Sequence, residues 1–215
     1  MNAPGEPRGR QGWLRTGCAI ALLAALAALL FGVSTRGFRV VTSDGARQVD
    51  LARSPATLPA IELTDAHGAR MPLAAAGDGR KTVVTLLYTH CVTVCRSSAS
   101  GQAYLQAELV RRGLAGDYRL LSISFDPWRD TADVLRAYGR KNGADPALWR
   151  LATVSRDEDL PALLDAFGVV VLPDGLGDYS HNAAYFLIDA HGRLARAYDI
   201  DRPDVVLADM VHARH

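Results

Sequence analysis

The sequence predicts an α/β domain, a mixed sheet flanked by helices, with an apolar helix ahead of it. Three observations predict this. Short β-branched and apolar runs alternate with stretches whose apolar residues recur at helical spacing. Asp65-Ala66-His67-Gly68 and Asp189-Ala190-His191-Gly192 have turn chemistry between runs that read as strands, and the final hairpin across the second makes the sheet mixed rather than purely parallel. One uncharged run, residues 17–33, is dominated by Ala and Leu and stands apart from the rest.

That run follows Arg8, Arg10 and Arg15 and reads as a transmembrane signal anchor. About 17 residues cover about 25 Å, the short end for a hydrocarbon core of about 30 Å, so flanking residues must help. A cleaved signal peptide is the competing reading, but Gly32-Val33-Ser34 is only a loose match to a small-x-small cleavage pattern. Cys18 lies at the front of the apolar run with no hydrophobic region before it, so it reads as a small membrane-facing residue. Arg36, Arg39, Arg47 and Arg53 nearly balance the arginines in front, so the charge count alone sets no orientation. A long folded domain is translocated largely regardless of nearby charge. The expected division is a cytoplasmic tail at 1–16, the anchor at 17–33, a linker at 34–57 and one domain at 58–215, placed on the periplasmic side of the inner (cytoplasmic) membrane.

In chain order, residues 58–64 read as an outer strand and 81–88 as an inner one. Ala99, Ala103, Leu105, Leu109 and Val110 give a helix over 94–112 that Gly113 stops. The near-continuous apolar run 118–125 reads as an inner strand. Val134, Leu135 and Tyr138 share one face of a helix over 131–142, closed by Gly143. A strand at 151–154, a helix at 157–167, strands at 183–188 and 194–199 and a last helix from Arg202 complete the order. The chain is 215 residues, enough for one domain with a core plus an appendage. Lys and Arg total 24 against 23 Asp and Glu, which gives no basic field to hold a nucleic acid.

The chemistry concentrates in Tyr88-Thr89-His90-Cys91-Val92-Thr93-Val94-Cys95, just past the C-terminal end of an inner strand and running into a helix. In α/β sheets that is where binding sites lie. A thiol at a helix start is partly ionised near neutrality, and both a nucleophile and a soft-metal ligand need the thiolate. Three intervening residues put both sulfurs on one side of the first turn, close enough to share a metal or to close a disulfide. A local staple would be a poor stabiliser, because a loop of about five residues carries little chain entropy to remove. A structural zinc site normally takes four protein ligands, and only two cysteines lie beyond the anchor. Two thiolates and one imidazole, with His181 as the candidate third ligand, form a soft set suited to Cu(I), and the same set holds Cu(II) with added oxygen ligands.

Three segments carry a family resemblance over residues 58–199: Tyr88 through Cys95, Ser124-Phe125-Asp126-Pro127-Trp128-Arg129-Asp130-Thr131, and Tyr179-Ser180-His181-Asn182-Ala183-Ala184-Tyr185-Phe186-Leu187-Ile188-Asp189. The chain resembles the Sco/SenC family, membrane-anchored thioredoxin-like proteins that help insert copper into the binuclear site of cytochrome c oxidase. The resemblance implies a thioredoxin-like mixed sheet and copper ligation by Cys91, Cys95 and His181, with Asp126 near the site as a redox-modulating residue. It also implies the copper-accepting oxidase subunit as partner, with other copper chaperones or thiol reductants upstream. Two positions depart from the family pattern, Val92 and Arg96, where prolines are common. Arg96 sets a positive charge beside the thiols and favours the thiolate.

Other candidates read more plainly. His90 is adjacent to Cys91 and points away as turn neighbours do, so it is a modulator rather than a ligand. His67, His191, His212 and His215 lie in turns or at the terminus and read as solvent-exposed. Asp130 reads as the cap of the helix that follows it, and Asp126 as a residue ending an inner strand on the side of the cysteine loop. Trp128, Trp149 and the tyrosines read as core and rim packing, or as aromatics shaping a docking face at a strand end. The functional expectation is a copper metallochaperone. Its rival is a thiol–disulfide reductase with Cys91 and Cys95 as the redox pair, against which the three-residue spacing counts.

Overall fold

The computed structural model describes residues 8–34, 43–90, 94–175 and 177–213, and the chain divides into two units, residues 1–49 and 50–215. The first contains α1 (Arg8–Ser34), 27 residues or about 40 Å of helix. Its stretch Trp13–Leu30 has a mean hydropathy of 1.9 and none of it is buried, so this helix is long and apolar enough to cross a membrane. The helix extends beyond the uncharged run on the side of the arginines, which supplies the length that run alone lacks.

The expected linker at 34–57 is in part regular structure. Helix α2 (Ser43–Arg53) and the short strand β1 (Ala56–Thr57) lie in it. Leu51 is almost fully buried in the core, and β1 pairs with a strand formed 137 residues later, so tertiary contacts override a weak local pattern.

The remaining elements are β2 (Glu62–Asp65), β3 (Arg70–Pro72), β4 (Lys81–Leu87), α3 (Val94–Arg111), β5 (Tyr118–Ser124), α4 (Ala132–Lys141) and β6 (Trp149–Val154). After them come α5 (Leu160–Phe167), β7 (Val171–Pro173), β8 (Tyr179–His181), β9 (Ala184–Ile188), β10 (Arg193–Asp199) and α6 (Pro203–His212). Eight strands form one sheet in the order β1-β10-β9-β4-β5-β6-β2-β3, and β7 and β8 form a separate two-stranded sheet. Strands β4, β5 and β6 are parallel; β9, β10 and β2 join antiparallel. The sheet is therefore mixed, as predicted. Strand β2 was expected at the edge, but β3 pairs outside it across the Asp65–Gly68 turn.

Side-chain alternation divides the core between two sheet faces. On one, Val84, Leu121, Ile123 and Phe186 pack with Leu163 and Phe167 of α5. On the other, Val83, Leu120, Tyr185 and Leu187 meet Leu105 and Leu109 of α3 and Val206 and Met210 of α6. Every residue of β5 is buried, Arg119, Ser122 and Ser124 included, in keeping with its near-continuous apolar run. Helix α3 approaches β9 closely because residue 101 is glycine: a Cβ there would stand 1.7 Å from the Tyr185 hydroxyl. Val110, expected on the apolar face of α3, is instead exposed, since Leu109 beside it takes the inward direction. The face buries two polar residues, Ser98 and Gln102. Gln102 donates to Thr85 (3.2 Å), Thr85 and Ser122 share a bond (3.1 Å), and the Trp149 indole donates to Ser122 (3.0 Å).

Candidate metal centre

Strands β4 and β5 end side by side, and the amide of Phe125 continues their pairing to the Leu87 carbonyl (3.0 Å). Tyr88 and Phe125 are thus the first residues past two buried strands, and both are themselves buried. His181, at the end of β8, lies edge-on against them, with ring centroids 4.9 Å from Phe125 and 6.1 Å from Tyr88. Tyr179 completes the aromatic group, 5.3 Å from Tyr88 and 6.0 Å from Phe125.

The imidazole has a defined tautomer. Its Nδ1 is 2.9 Å from the Asn182 carbonyl oxygen, which can only accept, so Nδ1 carries the proton and the lone pair is on Nε2. Burial pushes the His181 pKa below its ordinary value, and the bond to the Asn182 carbonyl offsets part of that shift. A neutral imidazole held by a carbonyl on its other nitrogen is the arrangement that metal-binding histidines use. Asn182 is fixed in turn: its side-chain oxygen accepts from Val170 N–H (2.7 Å) and its amide donates to the Gly168 carbonyl (3.1 Å).

The structure brings three of the predicted positions to one end of the sheet: His181, Asp126 after β5, and the backbone of Cys95 as the second residue of α3. Cys91, Val92 and Thr93 lie outside the described residues, as do the side chains of Cys95 and Arg96, so the expected disulfide and the cysteine ligands fall there too. Asp126 is almost fully buried and forms an ion pair with Arg129 Nε. That hydrogen bond is the main reason the Arg129 pKa is raised. His90 is exposed, with Nδ1 3.5 Å from the Thr89 hydroxyl.

Asp130 is not the helix cap expected of it. Thr131 takes that role, its side chain accepting from Val134 N–H (3.5 Å). Asp130 is completely buried and accepts three donors: the Thr89 amide (2.9 Å), the Thr89 hydroxyl (2.5 Å) and the Ser124 hydroxyl (2.5 Å). The tyrosines, expected as core and rim packing or as shaping a docking face, are here the neighbours of His181, while Phe125, Asn182 and Arg129 had no expected role. Tyr88 and Phe125 had one signal, their position at the ends of inner strands.

Solved structures share this fold. A SCO1/SenC family lipoprotein from Bacillus anthracis aligns with a TM-score of 0.67 at 26% identity, covering 76% of this chain and 99% of that one. A copper-bound ScoI from Arabidopsis thaliana aligns at 0.61 and 19% identity, covering 74% and 99%. BsSco, a Sco family cytochrome c oxidase assembly protein described with a disulfide switch, aligns at 0.64 and 18% identity, covering 74% and 94%. No curated protein matches the chain. The fold is the thioredoxin-like Sco fold. The family model SCO1/SenC matches residues 50–214, nearly the whole of the second unit, and this chain belongs to the SCO1/SenC family.

Proposed function

We propose that this chain is a copper metallochaperone that binds copper through Cys91, Cys95 and His181 and delivers it to the binuclear copper site of cytochrome c oxidase. The observation that carries the reading is His181. It is a neutral, Nδ1-protonated imidazole seated among Tyr88, Phe125 and Tyr179 at the strand end that leads, through Thr89 and His90, to Cys91. Two thiolates and an imidazole are soft enough to favour Cu(I), and transfer is ligand exchange onto an acceptor's cysteines and histidine, with no bond in the protein broken. The copper-bound ScoI of the same fold supports copper as the cargo. Helix α1 anchors the domain to the inner membrane with the copper site on the periplasmic side, where other chaperones or thiol reductants load it.

Anaerobic Cu(I) titration of the reduced full-length chain in detergent tests this. The expected stoichiometry is one copper per chain, with affinity reduced at least tenfold in His181→Ala. A stoichiometry near zero, or wild-type affinity without the imidazole, would sink the reading.

The disulfide switch described for BsSco favours a second reading, in which the Cys91–Cys95 dithiol reduces the acceptor's disulfide before metallation. One thiolate attacks the acceptor disulfide and the other resolves the mixed disulfide. The acceptor gains two thiols and this chain is left oxidised. Reductase activity that survives in His181→Ala while copper is lost would separate the two roles.

A further inference from the structure

The turn that follows β5 touches both halves of the candidate site. Its backbone is closed by Asp130 N–H and Arg129 N–H to the Asp126 carbonyl (2.9 and 3.2 Å) and by Asp126 N–H to the Ser124 hydroxyl (3.0 Å). From this turn, the Asp130 carboxylate holds both donors of Thr89, two residues ahead of Cys91. The adjacent Arg129 holds the other half. Its Nη1 donates to the Gly177 carbonyl (2.7 Å) and lies 3.7 Å from the Asp178 carboxylate. Its guanidinium carbon lies over the rings of Tyr179 (5.1 Å) and Tyr88 (5.7 Å). Gly177, Asp178 and Tyr179 lead directly into His181.

Among the described residues the hairpin that bears His181 shares no strand ladder with the main sheet, and side chains seat it. We propose that residues 126–130 act as a jig: Asp130 fixes Thr89 at the end of β4, Arg129 fixes the β7–β8 hairpin, and one closed turn sets the hairpin that bears His181 against that strand end. Arg129 and Asp130 are then positioning residues. The inference rests on the copper reading of the site and extends it to two residues that touch no metal. The fork geometry matters as well as the charge. A lysine cannot bond the Asp126 carboxylate and the Gly177 carbonyl at once through separate, rigidly spaced N–H groups.

The test uses the full-length chain in detergent, first without metal. Hydrogen exchange of residues 171–181 is expected to rise at least about tenfold in Arg129→Gln and Arg129→Lys, with Lys81–Leu87 and Tyr118–Ser124 unchanged. Cu(I) affinity, measured by competition, is expected to fall about tenfold in both at unchanged stoichiometry. Because Asp130 variants risk misfolding, Thr89→Val removes one donor of the other clasp. It is expected to lower affinity a few-fold and leave hairpin exchange alone, and the double variant Thr89→Val with Arg129→Gln to lose less than the sum. Unchanged hairpin exchange, acceleration spread evenly through the sheet, or wild-type copper affinity in both Arg129 variants would overturn the jig. A wild-type chain that bound no Cu(I) would remove the copper reading by itself, and the metal-free exchange comparison would still decide whether Arg129 seats the hairpin.

Discussion

Strand β5 and the β7–β8 hairpin meet at the candidate site and are built in opposite ways. All seven residues of β5 are buried, and the strand is paired on both sides. The hairpin has three paired positions, its Leu172 is 60% exposed, and Val170 just before it is 59% exposed. One is held by apolar burial and two ladders, the other by a handful of polar bonds and ring contacts. Sheet stability and the placement of His181 therefore rest on different kinds of contact, and the hairpin is expected to open before the sheet does.

The strongest way to break that contrast is in the sheet. Trp149→Ala removes a fully buried indole and its bond to Ser122, and should cost about 3–5 kcal/mol in denaturant unfolding. Gly101→Ala forces a methyl onto the Tyr185 hydroxyl and should cost about 1–3 kcal/mol in the same assay. Asn182→Ala removes the acceptor of Val170 N–H and the donor to Gly168. It should loosen the hairpin by about 1 kcal/mol, read by local hydrogen exchange, while the global unfolding midpoint moves little. Tyr88→Phe should have the smallest global effect, under about 1 kcal/mol, with its change again confined to exchange of the hairpin. If Asn182→Ala lowered global stability as much as Trp149→Ala, the two regions would be one cooperative unit and the contrast would fail.

The same contrast explains what was legible in the sequence. The inner strands and the helices behind them announce themselves through long apolar runs and helical spacing, because burial on two faces or one stripe leaves a periodic trace. The hairpin leaves none. Its strands are three residues each, with Pro173 ending the first and Gly175 and Gly177 between them, and His181 stands out by its chemistry and the family resemblance, with no strand pattern around it. Asp130 misleads for a local reason: Asp ahead of a helix is a good cap, but Thr131 stands one residue closer and takes the role, leaving the carboxylate for Thr89 and Ser124. Gln102 leaves no sequence signal for its burial, because only the fold brings Thr85 to it as a buried partner. The cysteine pair is carried by sequence spacing and family membership, with Cys91 outside the described residues.

The Tyr88 hydroxyl donates to the Tyr179 carbonyl and accepts from the Tyr179 amide, each at 3.2 Å. A single side chain thus occupies both hydrogen-bonding groups of a residue that a neighbouring strand would otherwise pair. Attachment of this kind has no register to preserve. Insertions or deletions between Gly168 and Gly177 can change the length and shape of the hairpin without shifting any strand of the main sheet. The exposed surface of the hairpin is then free to diversify while His181 keeps its place.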